Sequence, residues 1–119
     1  NSMFTAQQQL HYLFGQNSLN FVYFSGFGVN GMKQAFHHWL KTLNATPHNF
    51  PGLLPGGPNE NPEPNDRKFP NGYNKPADVM IDQRYSDNDS WSTNEIAVNQ
   101  SAQLVYVLCA TQAFAKGKK

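Results

Sequence analysis

Acidic side chains are missing from the first half of this 119-residue sequence; all eight fall between Glu60 and Glu95. The gap disarms the most tempting motif, "GFGVNG" at residues 26 to 31. That spacing matches a dinucleotide fingerprint, but the fingerprint needs an acid roughly 20 positions later to hold a ribose. No second strand-helix-strand unit follows either, so the glycines read as turn residues. Cysteine is nearly absent: Cys109 alone cannot form an internal disulfide, and its apolar surroundings predict a small buried thiol. Charge of one sign is not in excess, because nine basic residues against eight acids leave +1. Neither nucleic acid nor an anionic membrane is therefore an expected partner. No run reaches the ~18 consecutive apolar residues of a membrane-spanning helix, and no basic-then-apolar signal pattern opens the sequence.

What is present divides into three zones, although 119 residues with 39% apolar content suit about one small domain. In the first, Met3, Ala6, Leu10, Leu13 and Phe14 recur at helical spacing, with Ser2 as N-cap and Gly15 as stop. Residues 3 to 14 are thus expected to form an amphipathic helix. "NFVYFSGFG" reads as extended, and "MKQAFHHWLKTL" as a short helix. The second zone, residues 44 to 92, is rich in Pro, Gly, Asn and Asp and reads as loop. Such a length is abnormal for a connection, typically about 4 to 6 residues. Its scattered Phe50, Leu53, Leu54, Phe69, Tyr73, Tyr85 and Trp91 imply a loop that packs on something. The third zone, from Asn94 to about Ala115, is apolar on nearly every helical face and belongs inside a larger structure.

Candidate chemistry is sparse. "DNDS" at 87 to 90 lacks the glycine and glutamate of a calcium loop, and the adjacent His37 and His38 diverge on a helix, so no metal site or cofactor is expected. Trp39, Tyr85 and Trp91 can stack on sugar rings or simply pack. Glu95 admits two readings. With Ser92 it forms the S-x-x-E pattern of a capping box. Alternatively it is a partly desolvated acid at a loop-helix junction, able to donate a proton.

Four ordered segments carry a resemblance: "LHYLFGQNSLNFVYFSGFGVN", "FHHW", "FPGLLPGGPN" and "YSDNDSWSTNEIAVNQSAQLVYVLC". Together they resemble the C-terminal part of the catalytic domain of family 9 glycoside hydrolases, cellulase family E, over nearly all of residues 1–119. The resemblance implies an all-α fold with long loops, the C-terminal fragment of an (α/α)6 barrel. It also implies inverting hydrolysis of β-1,4-glucan in an aromatic-lined cleft, in a secreted or periplasmic protein. Glu95 then matches the general acid, His37 the first His of the family's "HHR", and Asp87 most nearly the Asp that precedes the acid in the family's second signature, with Asp82 as competitor. His38, Trp39, Tyr85 and Trp91 are the expected substrate contacts.

Departures from the pattern matter too. Trp39 stands where the family has Arg, Phe36 where it has Pro, Ser18 replaces the Pro of "RNP", and Gln100 and Ser101 replace "WN". The family's base comes from an upstream aspartate pair, and nothing like it occurs here. The sequence is therefore expected to be an incomplete domain, inactive without the remainder of its barrel. A non-catalytic glycan-binding relative, or an exo-acting glucosidase or glucosaminidase, is the alternative.

Overall fold

The computed structural model describes residues 2–42, 50–60, 66, 80–88 and 90–117. Its regular elements are helical: α1 (Ser2–Leu13), α2 (His38–Thr42) and α3 (Val98–Lys116), with one 3₁₀ turn at Ile81–Gln83. Among the described residues there is no strand; four isolated bridges stand in for a sheet. No helix among them is long and apolar enough to cross a membrane.

α1 forms where the apolar spacing predicts, although Ser2 is already helical instead of capping. It ends at a corner built by two residues. Gly15 takes φ +109°, a conformation that side-chain-bearing residues rarely adopt. Asn17 then satisfies four backbone groups: its Nδ2 donates to Tyr12 and Phe21 carbonyls, and its Oδ1 accepts from the Leu19 and Phe21 N–H groups. The turned chain runs back extended, so that Phe14 bridges Val22 and Val22 bridges Gly31. Leu10 of α1, Phe24 of this return and Leu104 of α3 form the apolar core, with Leu13, Val22, Leu54 and Val107 around them.

The glycines of "SGFG" serve close packing, as the turn reading requires. A Cβ on Gly26, which has φ +80°, would lie 2.6 Å from Pro51 Cβ. Ser25 fastens the same junction by donating its hydroxyl to the Phe50 carbonyl at 2.6 Å and accepting from Leu53 N–H at 2.9 Å. The "FPGLL" stretch of the long loop is thereby laid along the core.

Three expectations fail for one physical reason, namely that tertiary hydrogen bonds claim the backbone first. The helix expected over "MKQAFHHWLKTL" forms only at its end, because the N–H groups of Met32, Lys33, Gln34 and Phe36 are bound to Val22 O, Asp87 Oδ2, Asp87 Oδ1 and Asn94 O. α3 begins at Val98 and not at Asn94, because Glu95 and Ile96 are held extended by bridges to Phe36 and Pro55. The Ser92–Glu95 capping box does not exist: Ala97 is the N-cap, and Gln100 Oε1 reaches back to Ala97 N–H at 3.0 Å. Cys109, expected in the interior, is exposed. α3 buries Leu104 but leaves Val98, Val105, Tyr106 and Phe114 uncovered. Of the loop residues expected to pack, Phe69 and Tyr73 lie outside the described residues.

Candidate functional site

Residues 85–88 and 90–95 fold into a compact turn because their small polar side chains hydrogen-bond to backbone and to each other. Ser86, Ser90, Thr93 and Asn94 are all buried. Asn94 is the keystone. Its backbone N–H donates to Ser90 O at 2.7 Å, its Oδ1 accepts the Tyr85 hydroxyl at 2.6 Å, and its Nδ2 donates to Gln34 O at 2.6 Å and to Asp87 Oδ1 at 3.3 Å. A buried amide is stable only when its donors and acceptors are met, and these contacts meet them.

The "PGGPN" stretch reads the other side of the turn. Gly57 N–H donates to Thr93 O and Gly56 N–H to Glu95 O, each at 2.9 Å, and Asn59 Nδ2 donates to Ser92 O at 3.0 Å. Gly57 has φ +93°, which accounts for a glycine there. Across from it, Phe36 N–H donates to Asn94 O and Ile96 N–H to Phe36 O, so that Phe36 pairs with Glu95 in a parallel bridge. Glu95 thus has an immobilised backbone and an exposed side chain, and its carboxylate makes no hydrogen bond among the described residues.

The same bridge brings His37, the neighbour of Phe36, to this edge. His37 caps the short α2: its Nδ1 accepts Trp39 N–H at 3.2 Å, and its carbonyl accepts Lys41 N–H at 3.1 Å. An accepting Nδ1 puts the ring hydrogen of the neutral imidazole on Nε2. His37 and Trp39 line a cavity of about 410 Å³ together with Phe50, Leu53, Ile96 and Val98. Trp39 is 56% exposed, with its ring 5.8 Å from that of Phe50. His38 turns instead to Phe36, edge-on at 5.2 Å, and Lys41 Nζ sits 4.2 Å above the same Phe36 ring.

The two candidate aspartates separate clearly. Asp87 accepts the N–H groups of Lys33 at 2.8 Å and Gln34 at 3.0 Å and contacts Asn94, one residue from Glu95. Asp82 is exposed on the 3₁₀ turn, where its carbonyl accepts from Ser18 Oγ. Tyr85 does not offer a ring face to a sugar, in correction of that expectation: it is buried between Phe21 and Tyr23, with ring centroids at 5.1 and 5.0 Å. Burial, then the Asp87 charge and Tyr23, push its hydroxyl well above the usual phenol range. Trp91 is half-buried in the turn. The sequence reading missed Asn94 and Asp66. Asp66 is 1% exposed and accepts from Ser90 and Ser92, yet it lies in a loop stretch whose local sequence has no burial pattern.

Known proteins resemble this chain in sequence and in fold. The chain is 33% identical, over 92% of its length, to a xyloglucan-specific endo-β-1,4-glucanase of Bacteroides ovatus, of which it spans 17%. It superposes on a single-mutant thermostable endoglucanase of Alicyclobacillus acidocaldarius with a TM-score of 0.76 and 28% identity, covering 92% of this chain and 20% of that one. A third neighbour, solved in complex with a cellobiose-like isofagomine, gives a TM-score of 0.72 at 30% identity over 90% of this chain and 19% of that one. The chain therefore spans about one fifth or less of the length of these relatives, and its helices are those of one part of an (α/α)6 barrel. With the model of Glycosyl hydrolase family 9 matching residues 3–108, the chain belongs to that family of glycosidases.

Proposed function

We propose that this chain supplies the proton-donor side of a cleft that hydrolyses β-1,4-linked glucan with inversion, the rest of the barrel completing the site. The observation that carries the reading is Glu95, an exposed carboxylate on a backbone pinned by Phe36 and Gly56 at the edge that also holds His37. In this reading Glu95 protonates the leaving-group oxygen. His37 Nε2–H donates to a sugar hydroxyl, and the exposed Trp39 ring presents an apolar face to the C–H face of a sugar. Asp87 acts by holding Asn94 and the Lys33–Gln34 backbone in place.

Inversion needs a second carboxylate about 6.5–9.5 Å from the acid to activate water. Asp87 is a poor candidate because both of its oxygens already accept hydrogen bonds, and Asp66 is buried. The family resemblance implies a base on an aspartate pair upstream, in the part of the barrel that this chain does not span, and residues 1–119 alone are expected to be inactive. A polymeric substrate, too large to enter a cell, fits a secreted or periplasmic enzyme.

The test is Glu95→Gln in the complete enzyme, which keeps the side-chain shape and removes the proton. Loss of a general acid is expected to lower kcat on cello-oligosaccharide by about 10²- to 10⁴-fold. An unchanged rate would sink the assignment. Trp39 in place of an arginine favours one second reading, a glycan-binding relative without turnover; oligosaccharide binding with no release of reducing ends by the unaltered enzyme would support it.

A further inference from the structure

Among the described residues no hydrogen bond holds the Glu95 carboxylate, so the turn that fixes its backbone also aims its side chain. That turn has a buried anchor. Asp66 Oδ2 receives Ser90 Oγ at 2.6 Å, Ser92 Oγ at 2.5 Å and Ser92 N–H at 3.0 Å. A carboxylate can only accept, which commits the single hydroxyl hydrogen of Ser90 to Asp66. In the 2.8 Å contact between Ser90 and Thr93, Thr93 must then be the donor, and its oxygen is left to accept Ser86 N–H at 3.2 Å. The direction of every bond in this chain follows from the one acceptor at its end. Ser90 is also the residue whose carbonyl takes Asn94 N–H, immediately before Glu95.

We propose that Asp66 is a positioning residue for the proton donor, its buried carboxylate holding the Ser90–Thr93 turn in the conformation that presents Glu95 to the leaving-group oxygen. The proposal rests on the reading of Glu95 as the acid. It assigns a mechanistic role to a loop residue that touches no substrate, and it explains why a carboxylate is kept among small hydroxyl side chains.

Leaving-group dependence separates aim from general stability. Complete enzymes carrying Asp66→Asn, Ser92→Ala or Glu95→Gln would be assayed on a cello-oligosaccharide, whose sugar hydroxyl must be protonated to leave. A dinitrophenyl cello-oligosaccharide, whose leaving group departs without a proton, is the second substrate. Asp66→Asn is expected to lower kcat on the first by about 10- to 10²-fold, as misplacement of a reacting group does. KM and turnover of the aryl substrate should stay near those of the unaltered enzyme. Ser92→Ala keeps the charge and removes one donor, so it should show the same selectivity at a smaller loss, including in the event that Asp66→Asn does not fold. Equal losses on both substrates, or none, in the folded variants overturn the proposal. Should Glu95→Gln itself fail to discriminate the substrates, the acid assignment falls and takes this proposal with it.

Discussion

Residues 85–96 and α3 are consecutive in sequence and opposite in how they are satisfied. In the first, Ser86, Ser90, Thr93 and Asn94 are buried and find their hydrogen-bond partners within this chain. In the second, Leu104 is the buried residue, while Val105 is 58% and Tyr106 75% exposed. A helix apolar on all sides is stable only inside a larger structure. The geometry around Glu95 is thus satisfied within this chain, by residues as far away as Gln34 and Asp66, whereas the surroundings of α3 are left to the remainder of the barrel. The chain in this way holds the Glu95 backbone firmly on one turn while leaving the helix behind it to be covered by neighbours.

The most disruptive change to that contrast is expected in α3. Leu104→Ala removes a core side chain packed with Leu10 and Phe24 and should cost about 3 kcal/mol in chemical denaturation of the complete enzyme. Val105→Ala, on the uncovered face, should there cost nearly as much, since two buried methyl groups are worth about 2 kcal/mol. A cost within about 0.5 kcal/mol would mean that this face meets solvent even in the whole barrel.

Asp87→Ala tests the other region. It takes an acceptor from Lys33 N–H, Gln34 N–H and Asn94 Nδ2. Hydrogen bonds to a charged group are worth about 1.5–3 kcal/mol each. Water can replace part of the two exposed contacts, so about 2 kcal/mol is the expected net loss, with a fall in kcat as Asn94 loses its support. Asp82→Ala, on its exposed turn, should alter neither.

How far the sequence disclosed all this follows the same division. Period 3.6 and a glycine stop located α1, and the order of four motifs identified the family, because those signals are local. The start of α3 was misplaced by four residues because no local signal tells that Glu95 and Ile96 are bridged to Phe36 and Pro55. Ser92 looked like a cap for the same reason: its hydroxyl is taken by Asp66, 26 residues away. Tyr85 looked like a sugar platform because an aromatic residue in a polar loop gives no sign of the Phe21 and Tyr23 rings that enclose it.

Tyr85→Phe removes the hydroxyl that Asn94 Oδ1 accepts and leaves that oxygen buried without its donor. A loss of about 1–2 kcal/mol is expected. The pair also gives a pH signature. Burial raises the Tyr85 ionisation above its ordinary value of 10.0, so the folded state favours the neutral phenol. That contribution is complete below the unfolded value and declines as pH rises above about 10 toward the raised folded one. In denaturation at increasing pH, the advantage of the unaltered enzyme over Tyr85→Phe should shrink in that window; a difference that does not change with pH would contradict it.

Tyr23 gives the finest version of the comparison, since it touches Tyr85 but faces the α1–α3 side. Its ring stacks on Tyr12 at 5.9 Å, and it is 1% exposed, yet its hydroxyl makes no hydrogen bond of ordinary geometry among the described residues; burial, then a weak interaction with the Tyr12 side chain, raises its ionisation. Desolvating a hydroxyl whose partnership is this weak costs free energy that the contact does not return, so Tyr23→Phe should be neutral or stabilising by up to about 1 kcal/mol, the opposite sign from Tyr85→Phe. The two substitutions delete the same atom from rings 5.0 Å apart, which cancels most differences in packing. If Tyr23→Phe instead destabilised the complete enzyme as much as Tyr85→Phe does, its hydroxyl would have found a partner in the rest of the barrel. The boundary between what this chain satisfies alone and what it leaves to its neighbours would then run through the aromatic cluster itself, between Tyr85 and Tyr23.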